Sequence, residues 1–376
     1  MRILVVTPWY PNGKNPYAGA FVERDVRMLS AEHQVVVAHL VAPHQLDGGP
    51  ERDVRGGVTV HRYPMRPGTP ADWMAAGRRL RGLMREADLV HSQAATTLWP
   101  VALAFGPFRP RLPWVHTEHS SALVAFRRAR GLRRLSTRLI RRYLYARPHV
   151  VVAVSGFLRS AVGTLRRGPI VVVPNAVDAP ETTPPRSPPR SPLELVSVGG
   201  VHAGKRPDVA VRLLASLRDK GVAARLTWVG DGPLRAELDT LATQLGVGDR
   251  LVWAGARPPA EVSRFLAEAD IFVLPTEVET FGVAVAEAIA HGRPVVVGSR
   301  GGHVDFVSPA VGELVDGDNP DVYADAVIRL QARTSALSAE AIAATLGDGF
   351  SDETRLRRYD EVYAQAVHHS GRKSPR

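Results

Sequence analysis

IFVLPTEVETFGVAVAEAIAHGRPVVV, residues 271 to 297, decides the fold class. A buried strand, Ile271 to Leu274, stops at Pro275, and a short acidic loop follows. The spacing predicts a helix starting near Phe281, with Gly282 in its first turn, and then a second strand, Val295 to Val297. A strand, a helix and a strand in succession form the repeating unit of a parallel sheet wrapped by helices.

The same alternation extends outward over nearly the whole chain. Upstream strands are expected at Leu193 to Val198, Leu226 to Val229 and Leu251 to Trp253. An earlier series falls at Ile3 to Val6, Gln34 to Leu40, Leu89 to Ser92, Trp114 to Thr117, Val150 to Val154 and Ile170 to Val173. Between the two series stands APETTPPRSPPRSP, residues 179 to 192, whose six prolines can neither donate to a ladder nor sit inside a helix. The expected organisation is an α/β protein with an N-terminal domain over 1–178, a Pro-rich linker over 179–192 and a C-terminal domain over 193–350. The last part, 351–376, reads as an amphipathic helix from Asp352 to about His368 carrying Leu356, Tyr359, Val362 and Tyr363, then a polar tail. No internal repeat is visible.

With 376 residues, 45% of them hydrophobic and 23% charged, the chain can bury two sizeable cores. There is no cysteine, which excludes disulfides, thiolate nucleophiles, cysteine-ligated zinc and iron–sulfur clusters. No segment reads as a secretory leader or a membrane span, and a reducing, cytoplasmic setting is expected. The excess of 48 basic over 37 acidic residues gives a net charge of +11, which favours phosphorylated ligands and anionic surfaces. Almost all of it is arginine, since Lys14, Lys205, Lys220 and Lys373 are the only lysines.

Three loops are candidates for anion binding. A helix start at Phe281 and Gly282 exposes backbone N–H groups and the positive end of the helix dipole, which suits a phosphate or diphosphate. Glu279 precedes that start and Glu287 lies two turns into the helix; ionised carboxylates there accept hydrogen bonds from diols. Two surface glutamates beside an ordinary helix start fit this spacing as well, and Glu277 reads as a solvated loop charge. The second loop, LVSVGGVHAGKRPDVAV at 195 to 211, places Gly199, Gly204 and Lys205 in the first seven positions of a P-loop. Arg206 then stands where a Ser or Thr must hold magnesium. The third, LTWVGDGPLRAEL, has Gly230 and Gly232 between a strand and a helix, without the third glycine of a dinucleotide fingerprint.

Taken in order, these residues resemble the family-4 retaining glycosyltransferases of the GT-B fold, over nearly the whole chain. Glu279 and Glu287 match the E-x7-E spacing within ETFGVAVAEA, followed by HGRPVVV and by Gly301 and Gly302. SVGGVHAGKRPD is similar to the family's diphosphate loop, VGDGP to its next glycine turn, and VVPNAVD at 172 to 178 to its domain-closing segment. PNGKNPYAGAFVERDVRML resembles the first glycine loop, with Gly19 and Ala20 near the donor phosphates. LPWVHTEHSS places His119 where the family has a histidine at the reacting sugar. One departure is that Gly200 stands where members often carry an arginine.

The resemblance implies two Rossmann-like parallel-sheet domains facing across a cleft, with a C-terminal helix returning to the first. It implies a sugar moved with retention from a nucleotide-diphosphate donor to a glycan, lipid-linked or small-molecule acceptor. Donor contacts would come from Gly19, Ala20, Gly200, Lys205, Arg206, Gly230, Gly232, Glu279, Thr280, Phe281, Gly282 and Glu287. His119, Glu279 and Lys205 would carry the chemistry, with Glu279 on sugar hydroxyls, Glu287 on the ribose diol, and no enzyme nucleophile. The nucleotide-sugar is a co-substrate, and no cofactor or metal is expected in the protein. A P-loop-like hydrolase centred on Gly199 to Lys205 and a non-catalytic nucleotide-sugar binder are the alternative readings.

Other signals are weaker. His116 reads as structural, and Asp316 and Asp318 read as part of a turn and helix cap rather than a metal-binding pair. The stretch 126–147 holds nine arginines and no acid, with Leu132, Leu135, Leu139 and Tyr143 at helical spacing. That pattern suits peripheral contact with an anionic membrane at its inner face, and equally a solvated arginine-rich face. Nucleic acid is not expected, because stacking aromatics are not interleaved with the basic runs.

Overall fold

The structure, a computed structural model, describes residues 1–15, 19–46, 51–108, 110–119, 123, 132–186 and 191–371. The chain divides into two compact units, Met1–Ala176 with Phe350–Arg376, and Val177–Gly349.

The first unit holds eight strands: β1 (Arg2–Thr7), β2 (Gln34–Val41), β3 (Glu51–Arg55), β4 (Val58–Pro64), β5 (Leu89–Gln93), β6 (Trp114–Glu118), β7 (Val150–Ala153) and β8 (Ile170–Val172). They form one sheet in the order β3-β4-β2-β1-β5-β6-β7-β8, parallel except that β3 runs antiparallel to β4. Both faces of the central strands are buried, so their side chains divide by the two-residue period. Ile3 and Val5 join a core with Val37, Val115, Tyr359 and Tyr363, while Leu4 and Val6 join one with Val90, Trp114 and Leu80. The first of these cores is closed by the C-terminal helix Asp352–Ser370, capped by Ser351, whose hydroxyl accepts from the Thr354 N–H. The chain's last helix thus returns to the N-terminal sheet.

The second unit holds β9 (Leu193–Val198), β10 (Ala224–Val229), β11 (Leu251–Gly255), β12 (Ile271–Leu274), β13 (Val295–Gly298) and β14 (Gly312–Val315), all parallel, in the order β11-β10-β9-β12-β13-β14. Leu195, Trp228, Phe272 and Val296 fill its core with Leu213, Leu214 and Leu217 from the helix Pro207–Asp219.

Three strands were not expected: β3, β4 and β14. β3, ERDVR, is an exposed antiparallel edge whose charges discourage further pairing and make it read as a loop. β4 is interrupted in the sequence by His61 and Arg62. Arg62 is nonetheless buried, donating to the Pro11 carbonyl and paired with Asp53 on β3. The short strand β14 lies at the other unit's edge.

Candidate functional site

In a parallel sheet the loops leaving the C-terminal ends of the strands lie together on one edge, where ligands are bound. In the second unit four such loops interlock. After β9 the backbone turns through Gly199 and Gly200 into a short 3₁₀ turn, Ala203–Lys205, and Arg206 adopts φ 48, ψ 53 before Pro207 opens the next helix. Left-handed geometry is unusual for an arginine, and here Pro207 excludes the right-handed helical region for the residue before it. Arg206 Nη1 donates to the Gly317 carbonyl at 2.8 Å.

The loop after β10 packs backbone to backbone on this turn. A Cβ on Gly230 would lie 2.0 Å from the Gly199 carbonyl oxygen, and one on Gly232 would lie 2.3 Å from that of Val201. These two glycines are therefore required by loop packing, whatever else they contact.

The loop after β12 completes the arrangement. Thr276 Oγ1 and the Glu277 N–H both donate to the Gly204 carbonyl, at 3.1 and 2.9 Å. Glu277 as a whole is half-buried. Glu279 is held by its N–H donating to Arg300 and its carbonyl accepting from Gly302, on the loop after β13. With 9% of Glu279 exposed, its Oε1 accepts a hydrogen bond from Lys205 Nζ. The structure thus brings together two of the predicted chemical residues, 74 positions apart in the chain.

The helix beyond is Val283–Ala290, and it starts later than expected. Gly282 is its cap at φ 92, outside the helical region, and Phe281 is spent on the core, its ring 5.2 Å from that of Phe306. The cap, being glycine, has no side chain to bond the first-turn N–H groups. Gly282 is also sterically required, because a Cβ would stand 2.9 Å from that of His303. Glu287 lies with Val283 and Ala284 on the half-buried face of this otherwise buried helix. Thr280 is half-buried beside Glu279. Asp316 accepts from the Ser299 hydroxyl, and the helix after it is capped by Asn319 rather than by either aspartate.

In the first unit, Gly19 caps the helix Ala20–Leu29 at φ 71; a Cβ there would strike the Trp9 backbone at 2.5 Å. Ala20 is exposed at the helix start. Residues 16–18 of the expected glycine loop lie outside the described residues. His119 follows β6, 7% exposed, with its ring centroid 5.1 Å from that of Phe21 and 6.3 Å from that of Trp9. Burial, with the Arg355 cation and the neighbouring His91 and His116, holds its pKa well below the ordinary histidine value, so it is neutral near pH 7. Both its ring nitrogens are without hydrogen-bond partners among the described residues.

His116 is fully buried, bonded to Ser92 Oγ and close to Glu118, which also accepts from Tyr145. This Ser–His–Glu sequence of contacts lies within the core, consistent with a structural role.

Sequence reasoning passed over two buried side chains. Arg355, 1% exposed, binds both carboxylate oxygens of Asp25. Gln93, fully buried at the end of β5, has neither amide atom partnered among the described residues. Neither belongs to a recognisable motif, and a buried arginine on a helix with two others carries no local signal.

Comparison with known proteins covers both units. Residues 19–180 match the model described as Glycosyltransferase Family 4, and residues 180–343 the one described as Glycosyl transferases group 1. The chain is 36% identical over 186 residues to D-inositol 3-phosphate glycosyltransferase 1 of Catenulispora acidiphila, covering 46% of this chain and 44% of that protein. It is 32% identical over 197 residues to the GDP-mannose-dependent alpha-(1-6)-phosphatidylinositol dimannoside mannosyltransferase of Mycobacterium tuberculosis, covering 49% of each. The matched stretch thus spans about half the length of these curated relatives. The structure of Anabaena HepE in complex with UDP and glucose superposes with a TM-score of 0.75 at 19% identity, over 97% of this chain and 99% of that one.

Proposed function

Because the chain belongs to the family-4 glycosyltransferases of the GT-B fold, we propose that it moves a sugar, with retention, from a nucleotide-diphosphate donor to a hydroxyl-rich acceptor. The observation that carries this reading is the meeting of Lys205 and Glu279 next to the open helix start at Gly282, with Glu287 on the same helix. Cleaving the anomeric bond develops negative charge on the diphosphate. A compact ammonium and backbone N–H groups, already in place, lower the cost of that charge. We assign Lys205 and the turn through Phe281 and Gly282 to the diphosphate, Glu287 to the ribose diol and Glu279 to sugar hydroxyls. The diphosphate competes with Glu279 for Lys205, so donor binding releases the carboxylate for those hydroxyls.

His119 takes the role its motif has in the family, beside the reacting sugar. Being neutral, it can accept or donate a hydrogen bond without adding charge near the anomeric carbon. Gly19, Ala20, Gly200, Arg206, Gly230, Gly232 and Thr280 complete the assigned donor contacts through their loops. With the leaving charge met by Lys205 and N–H groups, we assign no metal or protein-bound cofactor. The hydrolase alternative is disfavoured by Arg206, which donates to a carbonyl where magnesium would need a hydroxyl.

The acceptor class, glycan, lipid-linked or small molecule, is supported by the relatives' names, which point to inositol phosphate and a phosphatidylinositol glycan. A thermal-shift panel of UDP-, GDP-, ADP- and dTDP-sugars against magnesium ATP tests the donor assignment. One nucleotide-sugar series is expected to raise the melting temperature at micromolar to millimolar concentration; a rise with magnesium ATP alone would move the function to the Gly199 to Lys205 turn.

A peripheral membrane contact from a cytoplasmic position completes the reading. No helix among the described residues is long and apolar enough to cross a membrane. Residues 126–131 lie outside the described residues, but the helix Leu132–Ala146 exposes Leu139, Ile140 and Tyr143 beside Arg138 and Arg142. Apolar side chains flanked by arginines match an anionic lipid surface. The protein is expected to co-sediment with phosphatidylglycerol vesicles at low salt and to be released at 0.5 M salt, roughly where screening shortens below 5 Å. Absence of binding at low salt would remove this contact.

A further inference from the structure

Resting on the transferase reading above, we propose that Gln93 binds a hydroxyl of the carbohydrate substrate at the C-terminal edge of the first unit's sheet. From β1 the chain passes to β2 on one side and later returns to β5 on the other, so β1 and β5 flank the topological switch point. Open parallel sheets bind ligands at that point, outside the strand ends. Gln93 is the last residue of β5.

Register places Gln93 beside Thr117 of β6, and His119 follows two residues later. Laterally paired residues of parallel strands share a face, so Gln93 and Thr117 lie on the same one, and His119 stands just past the end of that strand. The hydrogen bond of 2.7 Å between His91 and Thr117 lies on that face too.

The polar inventory along β5 singles out this residue. His91 is bonded to Tyr363 and Thr117, and Ser92 to Trp114 and His116. Gln93 Oε1 and Nε2, and both nitrogens of His119, have no partners among the described residues. Buried amides are normally satisfied, and leaving one unpaired weakens the fold. The next residue, Ala94, adopts φ 64, ψ 147, a region that non-glycine residues avoid, while its N–H donates to the Thr117 carbonyl. Two adjacent residues at the switch point thus forgo local stability. A neutral carboxamide offers one donor and one acceptor side by side, which a sugar hydroxyl uses together and a phosphate does not. That hydroxyl belongs either to the transferred hexose or to the acceptor.

Gln93→Leu keeps the volume and removes the amide. Its melting temperature is expected to equal or exceed that of the wild type, while turnover falls about ten-fold, as loss of one well-placed hydrogen bond gives. Gln93→Asn, which retains the amide, should recover part of the rate, and Gln93→Met provides a second apolar variant. Nucleotide release from UDP-glucose and GDP-mannose is measured with and without inositol 3-phosphate. Loss in both conditions assigns the hydroxyl to the transferred sugar, and loss only with acceptor assigns it to the acceptor. Unchanged rates in the apolar variants, with a raised melting temperature, would make Gln93 an inert core amide and overturn the proposal alone. A wild type that releases no nucleotide from any donor would remove the transferase reading and this assignment with it.

Discussion

Lys205→Ala is expected to lower turnover about a hundred- to a thousand-fold, the usual effect of removing one preorganised group that meets developing charge. Three features make this side chain hard to replace. It stands at the end of a 3₁₀ turn that Arg206 and Pro207 lock in place, so its stem is positioned before any ligand arrives. It is the only lysine on the loops of that sheet edge. The fold itself asks little of the ammonium: side-chain exposures of 22% for Lys205 and 11% for Glu279 leave the pair partly solvated, where ion pairs contribute about 1 kcal/mol or less. The melting temperature of the free protein should therefore move by only a few degrees while nucleotide release collapses. Lys205→Arg should restore little, because a planar fork cannot occupy the space of a compact point charge. Wild-type rates in Lys205→Ala would refute the role assigned to the loop.

Arg355→Ala is expected to have the largest effect on stability, about 3–5 kcal/mol, since it strands a buried carboxylate. The guanidinium binds Asp25 in bidentate fashion at 2.7 and 2.8 Å and donates to the carbonyls of Val173 and Pro174 and to Asn175 Oδ1. It also lies over the Tyr359 ring, 5.0 Å from its centroid. One side chain thus joins the last helix of the chain, the helix Ala20–Leu29 and the segment that ends the first unit. At roughly 2–4 °C per kcal/mol, the melting transition of that unit should fall by about 10 °C. Replacing both charges, as in Arg355→Met with Asp25→Leu, should recover much of the loss, because the penalty is the uncompensated carboxylate and not the missing attraction. A fall below about 2 °C in Arg355→Ala would mean that water reaches Asp25.

The return of the last helix was implied by the family resemblance, whereas the alternation of strands and helices and the parallel sheets were legible in the residues alone. So was the family, through short motifs whose order carries more information than any one of them. Each of these rests on local rules: a buried strand must be continuously apolar, a helix must show its period, and a turn must use glycine or proline. Where local rules conflicted with tertiary demand, the reading failed. β4 was passed over because Arg62 looks out of place in a strand until its partner on β3 is known. The helix after β12 was started too early because Phe281 looks helical until its ring is seen packed on Phe306.

The candidate site divides in the same way. Its loops were visible in the sequence, since glycine and a helix start announce themselves locally. The pairing of Lys205 with Glu279, the backbone packing that requires Gly230 and Gly232, and the unpartnered amide of Gln93 were not. Nor was Arg355 distinguishable from the chain's many surface arginines. These properties depend on which strands become neighbours, and strand order is set by the free energy of closing and burying the whole sheet rather than by any residue's own preference. Composition and periodicity therefore determined what kind of sheets this chain builds and which loops border them; only the assembled sheets decided which side chains meet there, 74 or 330 positions apart.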